Sequence, residues 1–233
     1  MMIDRDEDIT VLREIPFSVD SESLQRLLRI RPGSQEAYNL DKMADFAREF
    51  GKPKAIYRTV FIDGSVEDSI SVGGVVFKSA LLSRKLESVG RVLPFVVTSG
   101  RELEEYPLDR RDFLEAFLWD SVKEYVLHEA VEFFRKEAFR RNLVERLVWM
   151  SPGSGDAEIW PLQQQKELFS LIGNVKEEIG VELKESFLMI PTKSISGIAF
   201  QSEKDYRSCM VCRRVNCHYR SAPFDRKLRD SLE

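Results

Sequence analysis

The sequence predicts an α+β fold organised on a mainly antiparallel sheet, and three observations carry that prediction. Strand-like segments at 55–62, 69–77, 92–97, 187–190 and 195–200 mix with helix-like segments without the regular strand–helix–strand alternation of a parallel sheet. The 92–97 run, Val-Leu-Pro-Phe-Val-Val, is short and continuously apolar, as a buried strand is. One segment, 109–141, keeps a helical apolar period over many turns and reads as the spine of the domain.

Taken in order, 9–16 predicts a short strand, and 19–30 a helix with Leu24, Leu27 and Leu28 on one face, Asp20 and Ser21 as caps, and Arg31-Pro32-Gly33 as its stop. A second helix over 39–50 ends at Gly51 and Pro53. The strand at 55–62 runs into Asp63-Gly64, a turn signal, and 69–77 reads as a strand in which Gly73-Gly74 forms a bulge or a close backbone approach. A helix at 79–88 carries Leu81, Leu82 and Leu86, and the buried strand 92–97 ends in Thr98-Ser99-Gly100. In 109–141, Leu114, Phe117, Leu118, Val122, Tyr125, Val126, Phe133 and Phe134 recur at helical steps over roughly 50 Å, with room for a break or kink. Residues 151–156 are a loop by composition. Residues 163–179 form an amphipathic helix stopped by Gly180, and two strands flank Pro191-Thr192. The chain divides into an N-terminal helical segment (1–53), an α+β core (54–200) and a basic, cysteine-bearing tail (201–233).

The 233 residues are 43% hydrophobic, enough for a sizeable core, and no apolar run approaches the roughly 18–20 residues of a membrane helix. Residues 1–8 are charged and carry no apolar stretch, so no secretory signal is expected and the setting is cytoplasmic. A formal charge of -4 gives no reason to expect nucleic acid as a partner. The basic residues that cluster in the tail (Arg207, Arg213, Arg214, Arg220, Arg226, Lys227 and Arg229) read either as a solvated surface or as a docking face for an acidic partner or anionic cofactor.

Three segments could carry chemistry. Cys209, Cys212 and Cys217, followed by His218, place three thiols within nine residues, and an odd count in a reducing setting argues against disulfides. Thiolates suit zinc or an iron–sulfur cluster; three reduced thiols without metal, or thiol redox chemistry, are the alternatives. The loop Ser151-Pro152-Gly153-Ser154-Gly155-Asp156 has glycines that let backbone amides approach a ligand ahead of a helix start, or it is an ordinary inter-helix turn. The polar face of the long helix holds Glu115, Lys123, Glu124, His128, Glu129 and Glu132. His128 beside Glu129 is either an acid–base pair or part of a solvated face. No Ser–His–Asp triad, P-loop or dinucleotide fingerprint occurs.

In order and spacing, four stretches resemble the activation domain family of cobalamin-dependent methionine synthase. They are Val75–Ser79 leading to the 92–100 strand; Leu127-His128-Glu129; Ser151–Asp156 continuing to Trp160-Pro161-Leu162; and Pro191-x-Lys193-Ser194-x-Ser196-Gly197. The resemblance implies a curved antiparallel sheet flanked by helices, including one long helix. It also implies an activation subunit, part of a methyltransferase and not a complete enzyme, that supports reductive remethylation of oxidised cobalamin. S-adenosylmethionine would be the methyl donor, cobalamin would come on a partner subunit of methionine synthase, and a flavodoxin-like or other donor would supply the electron. The implied ligand site comprises Glu129, Met150, Ser151, Pro152, Gly153, Ser154 and Gly155, with Cys209, Cys212 and Cys217 as metal or cluster ligands. The sequence departs from the family where members that bind S-adenosylmethionine carry an arginine and a tyrosine: Trp149 and Ser154 stand there. Two other readings are a metal- or iron–sulfur-binding reductive activator of another corrinoid methyltransferase, and a non-enzymatic docking module that does not bind S-adenosylmethionine.

Overall fold

The computed structural model describes residues 9–109, 111–142, 146–217 and 220–231; residues 1–8, and His218 among the sequence's candidate ligands, lie outside them. The chain opens with β1 (Ile9–Leu12), α1 (Ser21–Leu28) and α2 (Gln35–Phe50). Asp20 caps α1 by accepting the Ser23 N–H at 3.1 Å, and Ser34 caps α2 by accepting the Ala37 N–H at 3.3 Å. That serine starts α2 a turn earlier than apolar spacing alone predicts.

The strand expected at 55–62 is two strands, β2 (Lys54–Arg58) and β3 (Val60–Val66), both beside β6 (Arg91–Thr98). Pro94, which has no N–H to give, falls between the last β2 pair, Tyr57 with Phe95, and the first β3 pair, Val60 with Val92. The missing donor therefore sits where the ladder is already interrupted. Asp63-Gly64 is not a turn: both residues lie within β3 at a register shift between Ile62 and Gly64. The Asp63 carboxylate reaches sideways instead, accepting from Ser71 Oγ at 2.9 Å and from the Gly74 N–H at 2.8 Å. Gly73-Gly74 is the true hairpin turn between β4 (Ser69–Val72) and β5 (Val75–Lys78), with φ of 55° and 79°. The exposed edge of β5 is closed by the Gln164 amide, which both donates to and accepts from the Lys78 backbone.

After α3 (Ala80–Leu86) and β6 comes α4 (Phe113–Asn142), thirty residues and roughly 45 Å long. Then follow β7 (Leu147–Met150), α5 (Gln165–Ile172), α6 (Val175–Ile179), β8 (Glu182–Leu183), β9 (Met189–Ile190), β10 (Ser194–Gln201) and α7 (Arg226–Asp230). The helix expected over 163–179 is broken into α5 and α6 at Gly173, whose φ of 102° no helix accommodates. All pairings in the eight-stranded sheet are antiparallel; β6 lies between β2/β3 and β10, and β10 pairs onward with β7.

Both faces of the sheet are covered, which is why β6 reads as a continuous apolar run. Val92 and Val96 pack with α3, α5 and α6, whereas Leu93, Phe95 and Val97 pack with Ala130, Phe134 and Ala138 of α4. Phe95 and Phe134 stack with centroids 4.7 Å apart. The amino-terminal half of α4 leaves the sheet and packs Leu118, Trp119, Val122 and Val126 against α1 and α2. Lys193, in the turn before β10, bridges to Asp120 and Glu124 of α4 at 2.9 and 2.8 Å. Burial alone would lower its pKa, but the two carboxylates hold it above the usual lysine value. Among the described residues no helix is long and apolar enough to cross a membrane.

Phe134 is fully buried between Phe95 and Tyr57. Phe134→Ala is expected to destabilise the protein by about 3–5 kcal/mol, read from urea unfolding with an unchanged slope.

Candidate functional site

The sequence from β7 into the 151–156 loop folds as a strand followed by tight turns, not as a link between helices. Gly153 and Gly155 have φ of 74° and 86°, values that favour glycine. Each glycine serves contacts within the chain. The Gly153 N–H donates to the Trp160 carbonyl at 2.7 Å, and a Cβ on Gly155 would lie 2.6 Å from the Ser208 carbonyl oxygen. Asp156 bonds the Glu158 N–H with one oxygen and pairs with Arg229 of α7 at 3.1 Å with the other. Arg229 is only 5% exposed, so this is a buried ion pair that fastens the loop to the end of the chain.

The tail is organised in the same way. Tyr206 and Val211 are buried in the core on the α5 side of the sheet, and burial pushes the Tyr206 phenol up to about 12. The Arg220 guanidinium donates to the carbonyls of Cys209 at 2.9 Å, Cys212 at 3.1 Å and Ala222 at 3.3 Å, and also to that of Arg214. One cation thus gathers the backbone at Cys209, Cys212, Arg214 and Ala222. Arg220 and Arg229 are spent on internal structure, Arg207 pairs with Asp205, and Arg226 pairs with Asp230.

Between α4, β7 and this tail lies a cleft of about 480 Å³. The helix contributes His128, Val131, Glu132 and Arg135, at the steps of a single stripe. Trp149 and Ser154 supply the second wall, and Tyr206, Arg207, Cys209 and Ser221 the third. The charges balance: Arg135 pairs with Glu132 at 2.8 Å, and Arg207 with Asp205 at 3.6 Å. Trp149 is anchored edge-on against Phe95, centroids 6.2 Å apart.

The structure separates the residues the sequence groups as a site. Of the 150–155 run, only Ser154 lines the cleft; Met150 and Pro152 are buried, Ser151 and Gly155 half-buried, and Gly153 faces solvent against Leu162. Glu129 is on the adjoining stripe, near enough to Tyr125 to help burial raise that phenol's pKa. His128 and Glu132 do reach the cleft. Arg135 was legible as the residue one further step along the same face and Arg207 as one of the basic tail residues, whereas Tyr206 and Ser221 carried no sequence signal.

Cys209, Cys212 and Cys217 are free and half-buried, and among the described residues no group of three or more His, Cys, Asp or Glu side chains is placed to hold a metal ion. Cys209 alone faces the cleft, its sulfur accepting from the N–H and hydroxyl of Ser221 at 3.4 and 3.5 Å. Burial pushes this thiol up, but the Ser221 and Ala222 donors and the Arg220 charge outweigh it and hold the pKa below the ordinary value.

Residues 115–219 match the family model described as vitamin B12 dependent methionine synthase, activation domain. Among solved structures the fold is similar to that of the MetH reactivation domain bound to AdoHcy. The TM-score is 0.52 and the identity 17%, over 86% of this chain and 81% of that one. No curated protein matches the chain. The α+β architecture and the resemblance read from the sequence are both borne out.

Asp156→Ala removes the nearer carboxylate from the buried Arg229, Glu158 at 3.6 Å being exposed, and is expected to cost about 3 kcal/mol in chemical denaturation. Cys209 alkylation by iodoacetamide tracks its thiolate; Ser221→Ala removes one of its donors, so the midpoint of the pH–rate profile is expected to move upward, monitored by peptide mapping.

Proposed function

We propose, from the match of residues 115–219 to the activation domain of vitamin B12 dependent methionine synthase, that this chain is an activation component of such an enzyme. It acts in the cytoplasm as a separate subunit on cobalamin carried by another polypeptide, with the cleft between α4, β7 and the tail as its S-adenosylmethionine site. The observation that carries the reading is the cleft itself. Its walls are built from two stretches that bear the resemblance, the His128 helix stripe and the turn after β7, and its volume of about 480 Å³ lies in the range of small-molecule sites. The similar reactivation domain is bound to AdoHcy, the demethylated form of the same ligand, which supports the reading.

The donor set suits the ligand. S-adenosylmethionine carries a carboxylate, an ammonium, a sulfonium and an adenine ring. Arg135 and Arg207 are the cations available to the carboxylate, and Glu132 and Asp205 the anions available to the positive groups. The Trp149 indole offers a flat apolar surface to the ring. This allotment replaces the arginine and tyrosine that the resemblance leads one to expect at Trp149 and Ser154. When bound, the ligand supplies a methyl group to cobalt that a one-electron donor has reduced, leaving S-adenosylhomocysteine. The chain's own part is to hold the sulfonium in one orientation and exclude water, which is where most of the rate gain of such a transfer arises.

Titration calorimetry with S-adenosylmethionine and S-adenosylhomocysteine tests the site. Both are expected to bind, with Arg135→Gln and Trp149→Ala each weakening binding about tenfold. Absence of heat at millimolar ligand, or binding indifferent to both substitutions, overturns it. For the process, adding the protein to a cobalamin-loaded methionine synthase that lacks an activation module, with S-adenosylmethionine and a reductant, is expected to restore turnover after oxidation.

A further inference from the structure

A second cleft, of about 810 Å³, opens at the end of the sheet where β6 begins and β10 ends. Its floor is apolar, formed by Leu93, Leu147 and Ala199, and its rim carries Arg84, Lys85, Arg91 and Lys204. Phe61 stands at the rim with 67% of its surface exposed, so its ring is open to a ligand in the cleft. We propose that this cleft is a separate binding site for a phosphorylated heterocycle of the nucleotide class, the four cations taking the phosphates and Phe61 the base.

The charge pattern is the main argument. Over the whole chain acidic residues outnumber basic ones, 39 to 35. Yet among the described residues the lining of this cleft carries four cations and one carboxylate, Glu203. Elsewhere cations are commonly bridged to carboxylates, as Arg13, Arg48, Lys54 and Lys193 are. Among the described residues none of these four forms such a bridge. Arg91 donates to the Asn142 carbonyl at 2.7 Å and Arg84 to the Ser231 carbonyl, bonds that engage a fraction of each guanidinium's donors. Lys85 lies over the Tyr206 ring, 5.0 Å from its centroid. Burial first, and then the Lys204 charge, lower its pKa, only partly offset by Asp225. Like charges kept together in a cleft with low-dielectric walls focus a positive field, and a multivalent anion relieves the repulsion.

The apolar floor and the exposed ring narrow the ligand class. A bare phosphate leaves Phe61, Leu93 and Leu147 unused, whereas a nucleotide stacks its base on an aromatic face and extends its phosphates to the rim. The site shares no lining residue with the α4–β7 cleft except Leu147, so it stands or falls apart from the reading given above.

Calorimetry of the full chain at low salt with ATP, adenosine and pyrophosphate decides the matter. ATP is expected to bind at least tenfold more tightly than adenosine, and raising the salt to weaken it. Lys85→Gln with Lys204→Gln should lose at least tenfold, and Lys204→Gln alone, an exposed position, should move in the same direction without touching the packing. Phe61→Ala should weaken ATP about tenfold and leave pyrophosphate unchanged. No heat with millimolar ATP, binding retained by the double variant, or pyrophosphate as tight as ATP with Phe61→Ala silent, each overturns the proposal.

Discussion

The contact on which the rest depends is that between α4 and β6. Ala130, Phe134 and Ala138 follow one another at four-residue steps, so a single large ring is set between two methyl groups on the face turned to the sheet. The small residues allow close approach, and the ring meets Phe95 at stacking distance. Because only the second half of α4 packs on the sheet, the first half is left to organise α1 and α2 through Trp119, Val122 and Val126. The same docking aims the neighbouring stripe, His128 to Arg135, at β7 and so raises one wall of the proposed ligand cleft.

The tail supplies the opposite wall, and electrostatics hold it there. An arginine drawn out of water needs partners for its charge. Arg229 meets Asp156, and Arg220 meets a ring of carbonyls, so each cation converts a flexible stretch into a fixed one. Gly155 completes the joint by letting the Ser208 backbone come closer than any side chain would allow. The motif at 151–156 therefore works in this chain chiefly as a splice between β7 and the tail. The side chains that the splice positions, Trp149 and Ser154 on one side and Arg207 and Cys209 on the other, are those that line the proposed ligand cleft.

This division explains what was legible in the sequence. The period of α4 and the apolar run of β6 survive in the fold because burial on a helix stripe, or on both faces of a strand, writes itself into composition. Asp63-Gly64 misled because the aspartate braces a turn eleven residues away and does not form one, a contact with no local trace. Gly73-Gly74 was legible as special backbone, but bulge and hairpin turn both call for positive φ, and pairing alone distinguishes them. The three cysteines read as a ligand set by spacing, whereas the loop that carries them is shaped by Arg220, whose bonds go to carbonyls that every sequence possesses. Glu129 and His128 are neighbours in sequence, yet a helix turns about 100° per residue and gives only one of them to the cleft.

The two clefts differ in a way that bears on what each can hold. In the α4–β7 cleft every cation has an anion beside it, Arg135 with Glu132 and Arg207 with Asp205, so its field is dipolar and its net charge near zero. A ligand bearing both signs can exchange partners with such pairs, each of its charged ends replacing one protein partner, and little uncompensated charge is buried. A phosphate there would gain two cations only by confronting two carboxylates. At the sheet end the balance is reversed: among the described residues four cations face one carboxylate above an apolar floor, a field that repels a sulfonium and favours a phosphate. Charge pairing, more than size, is thus what separates the two proposals, a methyl donor bearing both signs of charge in one cleft and an anionic nucleotide in the other.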